Sequence, residues 1–72
     1  MVTKEFIKDL IQDSREIRFL YNDTNHFGVI TKLNVNENFV KMYGTITIEI
    51  TQETKPRTIC TDVENISLLK VY

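Results

Sequence analysis

The sequence predicts a small, mainly β domain of the α+β kind: an N-terminal helix followed by five short strands that form a strongly bent antiparallel barrel. Three observations carry that expectation. The first residues show the stripe of an amphipathic helix, the rest of the chain alternates apolar with polar residues, and Gly44 sits midway along the longest alternating run. Alternation marks half-buried strands because successive side chains point to opposite faces.

Residues 3–13 carry Phe6, Ile7, Leu10 and Ile11 on one helical face, with Thr3 placed to cap the start and Asp9, Gln12 and Asp13 on the solvated side. A helix this short is marginal alone and must lie on the sheet. Strand one is 16–21, with Ile17, Phe19 and Tyr21 on one face and Arg18 and Leu20 on the other. Residues 22–25, Asn-Asp-Thr-Asn, read as a turn. Strand two, 27–35, has apolar residues on both faces, which suits a strand meeting the helix or another subunit on its second face. The polar cluster 34–38 reads as the connection of a central hairpin, because Asn tolerates left-handed backbone.

The third run, 39–51, has the cleanest alternation: Val40, Met42, Ile46, Ile48 and Ile50 against Lys41, Thr45, Thr47, Glu49 and Thr51. As one straight strand it would span roughly 43 Å. It is therefore expected to bend, and Gly44 is where a bulge or sharp bend is permitted. Residues 52–56 form a polar loop ending at Pro56, strand four is 57–61, 62–65 is a tight turn and the last strand is 66–71.

The whole chain, 1–72, is one domain. A domain of this size buries only about 60% of the surface its unfolded chain exposes. With one cysteine, Cys60, and one histidine, His26, it has neither a disulfide nor a zinc site to add stability, which leaves oligomerisation. The net charge of −1 lacks the basic excess of a protein that lives on phosphate contacts, so a nucleic-acid role would need a local patch or unpaired bases. There is no apolar leader at the N-terminus and no apolar run near the ~20 residues of a membrane span. A cytoplasmic protein with no membrane partner is expected. The abundance of Ile, Asn, Lys and Thr is that of AT-rich genomes, phages and mobile elements among them.

The helix followed by five strands, bent at the centre, resembles the Sm-like barrel of Sm proteins and the RNA chaperone Hfq, a barrel of the SH3-like type. Gly28, Ile30, Leu33, Asn34, Asn38, Phe39 and Val40 match the first Sm signature at its offsets. Ile7, Leu10 and Ile11 leading into 17–20 resemble the Hfq entry. The likeness covers roughly 3–43 and, more loosely, 57–71. The second signature departs: where the family carries a basic residue between the last two strands, 59–63 reads Ile-Cys-Thr-Asp-Val. The resemblance implies a homo-oligomeric ring binding single-stranded RNA or a small nucleotide between subunits, at Asn36, Asn38, Phe39, Thr61 and Asp62.

No catalytic constellation stands out, and neither an enzyme nor a cofactor is expected. His26 reads as an exposed turn histidine and Cys60 as a buried small hydrophobe. The acidic residues are scattered, and the only glycines, Gly28 and Gly44, exclude phosphate-loop and dinucleotide fingerprints. Phe27, Phe39, Tyr21, Tyr43 and Tyr72 are possible stacking platforms or core, with Phe39 the foremost of them, and Lys32, Lys41, Arg18 and Arg57 could supply local positive charge. The second reading is a small phage-borne module that binds a host or defence protein, or sequesters its nucleotide signal.

Overall fold

Thr3 begins the helix. In the computed structural model, which describes residues 3–38 and 41–72, its extended backbone (φ −104°, ψ 162°) lets the hydroxyl accept from Phe6 N–H at 3.2 Å. Helix α1 (Lys4–Gln12) follows. It ends in a Schellman motif: Ser14 N–H donates to Ile11 C=O, Arg15 N–H donates to Leu10 C=O at 3.0 Å, and Ser14 takes φ +50°. Ile7 and Leu10 are buried and Ile11 is half-buried. Phe6 departs from the expected stripe and stays 38% exposed.

The strands are β1 (Glu16–Tyr21), β2 (Thr24–Glu37), β3 (Met42–Ile50), β4 (Arg57–Asp62) and β5 (Ser67–Val71). They form one antiparallel sheet in the order β4-β3-β2-β1-β5. A 3-10 turn, Val63–Asn65, joins β4 to β5, the two ends of that order. The architecture is thus a helix and a five-stranded, mainly β domain, as the alternation predicts.

The hairpins differ from the sequence reading. Asn22 and Asp23 alone make the first turn, both with positive φ (52° and 59°), and Tyr21 pairs Thr24. Consecutive left-handed residues match the twist of the flanking strands, so Thr24, Asn25 and His26 belong to β2. At the other end the polar cluster is mostly strand: Asn34, Asn36 and Glu37 face Thr45, Tyr43 and Met42. The connection is the shorter stretch 38–41. Phe39 and Val40 lie outside the described residues.

β2 carries apolar residues at both parities because it contains a bulge. Ile30 pairs Ile48 but Lys32 pairs Thr47, leaving Thr31 extra. The inward face therefore switches from Gly28 and Ile30 to Leu33 and Val35. The inward face is buried on both sides of the bulge, while Phe27 and Val29 are half-buried on the outer face. The same device recurs in β5, where Arg18 pairs Lys70 but Phe19 pairs Leu68. Leu69 is the extra residue and is 46% exposed, while Leu68 and Val71 both pack on the core.

Gly44, expected to host the bulge, sits in unbroken register opposite Val35. It is required for another reason. Its φ is +132°, and a Cβ there would lie 2.3 Å from Asn34 O and 2.7 Å from Val35 Cα. β2 and β3 approach too closely at this point for any side chain.

Ile17, Phe19, Ile30, Ile46, Ile48, Ile50 and Ile59 join Ile7 and Leu10 in a continuous core. Between the helix, the sheet and the 3-10 turn lies an apolar cavity of about 90 Å³, lined by Ile7, Ile17, Ile30, Ile46, Val63 and Leu68 among others.

Candidate functional site

The sheet has an inner face on the core and an outer face toward solvent, and the expected site residues divide between them. Asn36 is exposed on β2 opposite Tyr43, itself 44% exposed. Asp62 is exposed at the end of β4 opposite Thr45, which in turn faces Asn34. These groups share the outer face. Thr61, one residue earlier, points inward, and its Oγ1 accepts from Asn65 Nδ2 at 3.0 Å. Asn38 lies in the connection, where its Oδ1 accepts from Lys41 N–H at 2.9 Å and its own N–H donates to Lys41 C=O. Phe39 lies outside the described residues, so its place beside them is not part of this geometry.

Contact between the β2–β3 connection and the 3-10 turn comes from Lys41 Nζ and Glu64 Oε2, 3.7 Å apart. Both side chains are more than half exposed, so the pair is worth at most ~1 kcal/mol. Around Asn36 and Asn38 the local charge is thus Lys41 paired with Glu64, together with the carboxylates of Glu37 and Asp62.

Two single-copy residues fall elsewhere than expected. Cys60 is exposed, because Ile59 occupies the inward position of β4 and its neighbour must point out. His26 lies on a strand rather than in a turn, half-buried and stacked on Phe19 with ring centroids 5.5 Å apart. Tyr21 tilts against the same imidazole at 6.2 Å. Among the described residues no three of His, Cys, Asp and Glu gather in a way that could hold a metal ion. No helix among them is long and apolar enough to cross a membrane.

A second cluster occupies the outer face at the opposite side of the sheet. Arg18 on β1 lies directly opposite Phe27 on β2 and Lys70 on β5. Phe27 and Tyr72 are tilted partners with centroids 6.0 Å apart, and Lys70 Nζ stands 5.0 Å from the centre of the Tyr72 ring. Tyr72 is held at both backbone groups, its N–H donating to Glu16 C=O at 2.9 Å and its carbonyl accepting from Arg15 Nε. Arg18 is half-buried, and its Nε is sealed from solvent with no hydrogen-bond partner among the described residues. Arg18 and the aromatics are visible in the sequence as single candidates. Lys70 was missed, since the bulge at Leu69 decides which face it occupies.

Nearby, Glu16 closes the junction of β1 with the end of β3, accepting from Thr51 Oγ1 at 2.8 Å and Gln52 Nε2 at 3.1 Å. No family model, curated protein or solved structure matches this chain.

Proposed function

We propose that the protein is a non-catalytic binding module whose copies join edge to edge into a homo-oligomeric, Sm-like ring that binds single-stranded RNA or a small nucleotide. The observation that supports this reading is the linear strand order, which leaves β4 and β5 as terminal strands with backbone groups on their outer sides unused by the sheet. A terminal strand is a template for pairing with another chain. Pairing β4 of one copy with β5 of the next is a head-to-tail contact, which makes a ring when the rotation closes. It also supplies apolar burial that so short a chain lacks.

Light scattering on the eluting protein, with absorbance at 260 nm on the same peak, tests the proposal. The expected result is one discrete mass several times the 8.5 kDa of the chain, with nucleotide co-eluting or binding on addition. A monomer that neither carries nor binds nucleotide refutes it. That outcome favours the second reading, capture of a host or defence protein, which draws on the net charge of −1 and on the exposure of Tyr43 and Leu69.

A further inference from the structure

We infer that the row Phe27, Arg18 and Lys70, with Tyr72, is the seat of a phosphorylated aromatic ligand: a nucleotide, or one nucleotide of a single strand. This deepens the nucleotide-binding reading above and rests on it, naming the place and the chemistry. The phosphate lies between the Arg18 guanidinium and the Lys70 ammonium, and the base lies against the Phe27–Tyr72 pair.

Charge is the first argument. Arg18 and Lys70 are directly opposed across β1 and β5, an arrangement that like charges disfavour. Neither forms an ion pair with a carboxylate among the described residues, whereas Lys41 pairs with Glu64 and Arg57 with Glu53. An anion shared between them turns the repulsion into a two-pronged contact, and guanidinium geometry suits phosphate. The unpartnered, solvent-sealed Nε of Arg18 is a second observation, since a buried donor without an acceptor is uncommon in a satisfied fold.

The aromatic part follows from Tyr72, which is 44% exposed yet anchored through both backbone groups. A ring held in place and open to solvent offers a stacking surface with little ordering left to lose. Across the sheet, the end near Asn36 carries Glu37, Asp62 and a Lys41 paired with Glu64, which suits phosphate poorly. Edge pairing by β5 would use its backbone and leave the face of Lys70 open.

The test is a titration of the purified protein with AMP, a short labelled single-stranded RNA and inorganic phosphate, at low salt. Lys70→Gln, Tyr72→Leu and Arg18→Gln are compared with Lys55→Gln, which removes the same charge from a loop, and circular dichroism verifies folding. Lys70→Gln and Tyr72→Leu, both at exposed positions, keep the test alive if Arg18→Gln does not fold. The expected result is AMP or RNA binding weakened about tenfold or more by each patch variant and unchanged in Lys55→Gln. Affinity that rises with strand length and falls steeply with salt identifies a strand, and equal affinity for AMP identifies a mononucleotide. Wild-type binding that persists in the patch variants and is lost in Asn36→Ala overturns this inference alone. Inorganic phosphate bound as tightly as AMP also overturns it. No binding of AMP or RNA by the wild type overturns both this inference and the reading beneath it.

Discussion

Replacing Gly44 with alanine should remove about half of the stability of this domain. Two independent penalties meet there. At φ +132° an L-residue is strained, typically by about 1–3 kcal/mol. The added methyl would stand 2.3 Å from Asn34 O and 2.7 Å from Val35 Cα, both backbone atoms that no rotamer change can move. Forcing β2 and β3 apart at that point adds about 1–3 kcal/mol of overpacking. Together the loss is about 2–6 kcal/mol, set against a total on the order of 4–11 kcal/mol for a domain of this length. Urea unfolding followed by far-ultraviolet circular dichroism reads it directly: the midpoint should fall by about half with little change in slope, or the variant should be unfolded in buffer. A Gly44→Ala protein with the wild-type midpoint would show that the two strands do not approach this closely, and the argument would fail.

Further substitutions probe the remaining features. Ser14→Gly and Asp23→Gly place glycine at positive-φ positions of the helix end and first hairpin, and each should raise stability by about 0.4–1 kcal/mol, a few degrees in melting temperature. Thr3→Ala removes the hydroxyl that accepts from Phe6 N–H and should cost about 1 kcal/mol. Val63→Ile adds one methylene beside the 90 Å³ cavity and should stabilise by roughly 0.5–0.8 kcal/mol, whereas a loss would mean the space cannot be filled from the 3-10 turn. Cys60 should react with a thiol reagent in the native protein as fast as it does in denaturant; strong protection would contradict its exposure.

Elements whose alternation is unbroken could be read from the sequence alone. β1 matches at both ends, and the phases of Ile46, Ile48 and Ile50 hold, because each strand keeps one register with its neighbours there. The two-faced reading of β2 and the missed Lys70 share one physical origin, the single-residue shift. A bulge inserts one residue, so a strand with one buried face looks apolar on both, as β2 did between Ile30 and Leu33. The first turn looked longer than it is because Thr24 and Asn25 are polar strand residues on an exposed hairpin end. Cys60 was readable: once Ile59 is inward, alternation puts the thiol outside. Of the candidate site, Asn36 lies on the outer face of β2 and Asp62 on the outer face of β4 with β3 between them, while Thr61, one residue before Asp62, points inward. The Arg18–Lys70 pairing depends on the Leu69 bulge and a contact between the chain's two ends, which no local pattern encodes.

The bulge at Thr31 also sets a rule for anyone engineering this sheet. β2 carries its own frameshift: the outward positions are Asn25, Phe27 and Val29 on one side of it, but Lys32, Asn34 and Asn36 on the other. A library that randomises every second residue straight through the strand would rewrite the surface in one half and destroy the core in the other. Deleting Thr31 alone would remove the bulge and leave Leu33 and Val35 inward in plain alternation with Ile30, whereas deleting one residue from the regular stretch between Leu33 and Val35 would turn Val35 outward.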